Sequence, residues 1–168
     1  MDSVEKQRIY ELAEKLLSEQ NFGVAVVAGV IAMILSAWIY GIVKSQSEGI
    51  YYSILAAGIG IIIGLTMRFL GRGIDIKFAL VASAYALLGC MLGNMFAVVM
   101  NVAQSNAVSP FDILQNTPKS ELYEWIFADL PLADLMFWII GIGSAAYFAR
   151  RPLTREEGLA LHAYKMRY

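Results

Sequence analysis

The chain has 168 residues, of which 58% are apolar and only 16% charged, with a formal net charge of −1. No Asp, Glu, Lys or Arg occurs from Gln20 to Val43, Gly49 to Met67, Phe78 to Phe111 or Leu135 to Ala149, runs of 24, 19, 34 and 15 residues. A helix needs about 20 mostly apolar residues to cross a bilayer core of about 30 Å, so the pattern excludes a soluble globular domain, a disordered tail and a disulfide scaffold.

Residues 1–20 are polar with helical spacing. Val4, Ile9, Leu12, Leu16 and Leu17 fall near one face, with Glu5, Lys6, Glu11, Glu14 and Lys15 around the rest. This predicts an amphipathic helix, docked or interfacial rather than floating in solvent. It is no secretory signal, because residues 2–19 hold five acids against three bases and a signal opens on positive charge.

Residues 21–149 read as a four-span transmembrane domain, with spans at about 21–43, 50–70, 77–100 and 131–149. In span 1, eleven residues are Phe, Val, Ile or Leu. Insertion of that many gains roughly 3 to 7 kcal/mol. Trp38 and Tyr40 near its end, and Tyr51 and Tyr52 opening span 2, suit the headgroup layer. Lys44 to Gly49 forms a short polar turn. Gly71 to Ile76 is short enough to impose a second hairpin, with Asp75 placed to cap span 3. Span 4 has only 15 uncharged residues, about 22 Å of helix. It crosses if Asp134 sits at the interface and Arg150 snorkels. With both termini cytoplasmic, eleven bases lie inside and only Lys44 and Lys119 outside, a clear positive-inside bias.

Span 3 carries a stripe of small residues at Ala79, Ala82, Ala86, Gly89, Gly93 and Ala97, stepping by three and four along one helix face. Membrane helices associate where small side chains let backbones approach. Gly60 and Gly64 offer a matching pair on span 2, Ala28, Ala32 and Ser36 on span 1, and Gly141 with Ser144 or Ala145 on span 4. The stripe serves packing within the bundle, or an oligomer seam or pore lining. Asn94 is the one strongly polar side chain expected inside a span. It either bonds to Ser36, Thr66, Ser144 or a backbone carbonyl, or lines a polar path. Cys90 reads as a small buried hydrophobe.

Between Asn101 and Leu130, Ser109-Pro110-Phe111-Asp112 reads as a capping box with proline at the first helical position, and Thr117-Pro118 repeats the signal. One or two short helices are expected on the outer surface. Their acids Asp112, Glu121, Glu124 and Asp129, with Asp134, either stay in water or form a partner or cation surface. Residues 150–168 form a cytoplasmic tail in which Thr154-Arg155-Glu156-Glu157 is a capping box opening a helix to about Arg167. Arg68, Arg72, Lys77, Arg150 and Arg151 converge at the same membrane face. They form a possible anionic-lipid cluster, or simply the product of positive-inside topology.

Chemistry is sparse. His162 is the single histidine and lies in the tail, and Cys90 is the single cysteine, so no cysteine pair, His-based metal cluster or bis-histidine haem site can form within the chain. No ionisable residue is expected deep in a span, as ion-coupled transport usually requires. The pI near 5.8 gives no case for nucleic acid. We therefore assign no catalytic, cofactor-binding or metal residues and expect a non-enzyme without cofactors.

The run from Arg68 to Asn94, with GRGID, then Phe78 and GCMLGN, resembles small four-span bacterial membrane proteins of unknown function. Leu130 to Phe137 resembles the start of their last span. The likeness covers roughly half the chain. Similar proteins often carry a soluble N-terminal module, where this chain has a short helix. The resemblance implies no activity, and no functional residues carry over from it.

The fold expected is an all-α, integral membrane four-helix transmembrane bundle with amphipathic N- and C-terminal cytoplasmic helices and an extracytoplasmic interfacial helical segment. The function expected is that of a non-catalytic subunit of the bacterial inner membrane, touching lipid, itself or other membrane proteins in a homo-oligomer or larger complex. One alternative is an oligomeric channel or uncoupled transporter lined by span 3. There Ala82, Ala86, Gly89, Gly93 and Asn94 face the pore with Ser83 and Cys90. Another is an effector or sensor that binds anionic lipid.

Overall fold

The computed structural model describes residues 3–46, 53–128 and 130–166, with backbone only for residues 3–6. The described residues form helices without strands: α1 Ser3–Ser18, α2 Phe22–Gln46, α3 Ser53–Gly71, α4 Ile76–Asn106, α5 Pro110–Asn116, α6 Lys119–Phe127, α7 Leu132–Phe148 and α8 Arg155–Lys165. Tyr51, Tyr52 and Asp129 lie outside the described residues. Three helices, α2, α3 and α4, are long and apolar enough to cross a membrane. The fourth bundle helix, α7, has 17 residues, and α6 meets it at 90°.

The helices alternate in direction. Asn21 at the start of α2 donates its N–H to the carbonyl of Gly71 at the end of α3, so α2 and α3 are antiparallel. Gly29 sits against Tyr85, and Gly41 against Phe96 and Ala97, so α2 and α4 are parallel. Gly60 faces Gly141 and Gly64 faces Ala145, so α3 and α7 are parallel as well.

Small residues set these distances. A Cβ on Gly60 would lie 1.8 Å from the Gly141 carbonyl oxygen, and one on Gly141 would lie 2.6 Å from that of Ala56. The α3 and α7 backbones therefore touch, an approach no larger residue permits. Between α2 and α4, a Cβ on Gly93 would be 2.4 Å from the Tyr40 ring. The core between the helices holds Ile59, Ile63, Met67, Phe78, Cys90 and Trp138 with many alanines.

The outward faces are apolar too. Val27, Ile31, Leu35, Ile39, Ile62, Leu80, Met136, Ile139 and Ile140 are all exposed.

The GRGID turn is the hub of one bundle end. Arg72 takes a left-handed φ of 48°. The carbonyls of Gly71 and Gly73 accept the backbone N–H groups of Asn21 and Arg151, the residues that lead into α2 and follow α7. Below this turn α1 docks on α8 through Ala13, Leu16, Ala160 and Leu161, a second small core that Ile74 joins. The N-terminal helix is thus docked on the C-terminal one. The tail capping box forms in full: Thr154 Oγ1 accepts from the Glu157 N–H, and Glu157 Oε2 accepts from the Thr154 N–H at 2.8 Å.

Four local expectations need correction. Helix α4 runs to Asn106 rather than about Met100. Its 31 residues make it about 46 Å long, because no proline or glycine follows Gly93 before Ala107 adopts a left-handed φ of 52°. Asp75 does not cap α4 with its side chain. It pairs with Lys77 at 3.4 Å instead. Thr117 does not cap α6, which opens after Pro118. Lys44 belongs to the last turn of α2 rather than to a polar turn. Ser109 does cap α5 by accepting the Phe111 N–H, with proline in the first turn, although Asp112 does not return the bond.

Candidate functional site

Four polar side chains meet at the end of the bundle opposite GRGID. Lys44 lies in the last turn of α2, where a helix C-terminus favours a cation. Asp134 lies in the first turn of α7, where an N-terminus favours an anion. Ser53 opens α3, and Asn94 sits in the interior of α4. These four side chains form one knot.

Lys44 Nζ donates to Asp134 Oδ2 at 2.7 Å, with side-chain exposures of 11% and 0%. The second oxygen of Asp134 accepts from Ser53 Oγ, and Lys44 also donates to Asn94 Oδ1. Asn94 Nδ2 then donates to the carbonyls of Ile126 at 2.8 Å and Ala128 at 3.1 Å, with Trp125 at 3.5 Å.

An ammonium offers only donors and a backbone carbonyl only acceptors. A primary amide can accept from one and donate to the other, with two N–H groups for the carbonyls. Asn94 is therefore the adapter between the ion pair and the last turn of α6, and it anchors the segment between α4 and α7 to the bundle. Asp134, at the start of α7, is fully buried within the protein. The reason is that Lys44 reaches it and cancels its charge, which removes most of the cost of taking a carboxylate from water. Both charges lie in terminal turns, Lys44 in the last of α2 and Asp134 in the first of α7, and neither sits in the middle of a helix. Asn94 makes no bond to Ser36, Thr66 or Ser144.

The knot lies near one end of the bundle. Ser53 is 18 residues from Gly71 and Asn94 is 18 from Ile76, about 27 Å along either helix.

The stripe on α4 is buried at Ala79, Ala82, Ala86, Gly89, Gly93 and Ala97. Gly89 meets Ile59 of α3 and Met33 of α2, and Gly93 meets Tyr40 and Ala37 of α2. Gly60 and Gly64 face α7. All of these positions are used inside the chain. Ser83 donates to the Ile142 carbonyl at 3.4 Å. Cys90 is buried.

The five basic candidates gather at the GRGID end. Arg72 pairs with Glu19 at 3.3 Å, and Arg151 with Glu157 at 2.9 Å. Lys77, besides pairing with Asp75, stands 5.5 Å from the Phe22 ring centroid. Arg68 lies over its neighbour Phe69 at 5.7 Å. Among the described residues, neither Arg68 nor Arg150 has a carboxylate within ion-pair distance.

The sequence reading missed the joining of Lys44, Ser53 and Asp134. A usable signal was present. Lys44 is one of only two bases assigned to the outer side, Asp134 directly precedes the last uncharged run, and both lie at the outer ends of spans where Asn94 also needs a partner. Among the described residues no group of three or more His, Cys, Asp or Glu is placed to hold a metal ion. Comparison of the chain with protein-family models, with curated proteins and with solved structures finds no match.

Proposed function

We propose that α2, α3, α4 and α7 each cross the bilayer, making a four-span protein of the bacterial inner membrane with both termini cytoplasmic. We further propose that it acts as a non-catalytic subunit, through helix–helix and lipid contacts in a homo-oligomer or larger complex. Helix α7 is about 25 Å long by its rise, short for a span. It is level with α3 from the Ser53–Asp134 bond to the Gly64–Ala145 contact. Its outward residues Leu135, Met136, Ile139, Ile140 and Tyr147 are as apolar as those of its neighbours. Lys44 spends its charge inside the bundle on Asp134, so the excess of bases at the GRGID end is sharper than the sequence count and favours that end as cytoplasmic.

One observation carries the subunit reading. The two charged side chains of the knot, Lys44 and Asp134, bond each other and Asn94 and Ser53 inside the bundle, while large apolar side chains face outward. Such a surface meets lipid or other helices. Small residues remain outward at Gly58 and Gly143, where nothing lies within 4 Å of an added Cβ. Extraction in mild detergent with mass measurement of co-purifying chains tests the reading. A homo-oligomer or a stoichiometric complex is expected. Leucine at Gly58 or Gly143 should weaken it without unfolding the chain. Purification as a monomer alone contradicts the reading.

A further inference from the structure

We propose that the GRGID end of the bundle binds the phosphate of an anionic glycerophospholipid, an inference that rests on this end being the cytoplasmic membrane face. Two clefts adjoin there. One, of about 290 Å³, is lined by Arg68, Arg150, Arg151 and Tyr147, and the other, of about 530 Å³, by Arg68, Arg72, Arg151, Phe69 and Glu19. Arg68 and Arg151 belong to both, so the clefts share a wall of guanidinium groups.

The charge there is not balanced. Glu19 holds Arg72, and Glu157 holds Arg151 with one oxygen while its other accepts the Thr154 N–H. Four guanidinium groups thus meet two carboxylates, leaving an excess of two positive charges, and Arg68 and Arg150 are the pair without an acid among the described residues. Guanidinium groups present paired N–H donors that match phosphate oxygens.

The apolar surroundings select the amphiphile over a soluble phosphate. Phe69 and Tyr147 flank the clefts and are 69% and 76% exposed. They continue the outward apolar faces of α3 and α7, where acyl chains would lie while the headgroup meets the arginines. The bound lipid would also bridge the segments that the turn joins, since Arg72 lies in the turn, Arg151 follows α7, and Glu19 lies between α1 and α2.

The test places the purified full chain in phosphatidylcholine vesicles with or without phosphatidylglycerol. Flotation first reports insertion, and retained lipid per chain is then measured by native mass spectrometry. Retention of phosphatidylglycerol over phosphatidylcholine is expected. The double variant Arg68→Gln/Arg150→Gln touches neither ion pair and should lower that preference by on the order of tenfold or more. Lys119→Gln at the opposite end should leave it unchanged. Equal retention by wild type and double variant overturns the site while leaving the membrane reading intact. Glycerol 3-phosphate competing as well as the lipid overturns the amphiphile assignment. Failure to float overturns both.

Discussion

Lys44 and Asp134, ninety positions apart in the chain, meet at 2.7 Å between the last turn of α2 and the first turn of α7. Both are otherwise wrapped in protein, at 11% and 0% side-chain exposure. A buried pair of this kind adds little net stability over apolar side chains of the same size. Removing one partner is costly, because the other charge stays buried alone. Asp134→Asn and Lys44→Met should each destabilise the bundle by about 3–5 kcal/mol. The double variant Lys44→Met/Asp134→Leu should recover most of that loss. Unfolding midpoints in detergent measure the cycle, and additive losses would show that the two residues do not act as a pair.

Asn94 holds the segment between α4 and α7 through the carbonyls of Ile126 and Ala128. Asn94→Asp keeps the size but faces those carbonyls with no donor, leaving buried acceptors unsatisfied at about 1–3 kcal/mol. The segment between α4 and α7 should then become the first site of proteolytic cleavage, with hydrogen exchange rising in α6 and not in α3. Unchanged protection of α6 would refute the adapter role.

The glycines divide by surroundings. Gly60→Ala drives a methyl group into the Gly141 carbonyl, and Gly141→Ala into that of Ala56. Each should cost about 1–3 kcal/mol or more through forced separation of α3 and α7. Gly58→Ala and Gly143→Ala meet open space and should be neutral or stabilise by about 0.5–1 kcal/mol through reduced chain entropy. Thermal melts of the four variants read the contrast directly.

Leu16 is buried in the α1–α8 core with Ala13 and Ala160. Leu16→Glu places a carboxylate there without a partner and should undock α1. Hydrogen exchange should rise across α1 and α8 while α2 and α4 stay protected. Equal loosening of α2 would show that the small core and the bundle form one cooperative unit.

Much of the architecture is legible in the chain because charge and apolar runs mark helix limits. The four apolar segments begin within three residues of their expected starts, and Thr154 and Ser109 cap the helices they announce. The partner of each polar residue is not legible. Periodicity places Asn94 on a face of α4, but its partners come from α2 and from the end of α6, 50 and 32 positions away. Lys44 and Asp134 each look like an ordinary boundary residue when read alone, since an isolated charge at a span end belongs in water. Only the packing of α2 beside α4 and of α7 beside α3 brings them together. The length of α4 is hidden for a related reason. No proline or glycine follows Met100 until Pro110, and nothing local records that the neighbouring helices stop earlier.

In the proposed topology the chain crosses the bilayer an even number of times, with the knot outside and the GRGID turn within. Single cysteines at Lys119 in α6 and Glu156 in α8, each in a Cys90→Ala background, can be probed in intact cells with a membrane-impermeant maleimide. Labelling at position 119 alone, with position 156 reacting only after lysis, is the predicted result. Labelling of position 156 in intact cells would contradict the account.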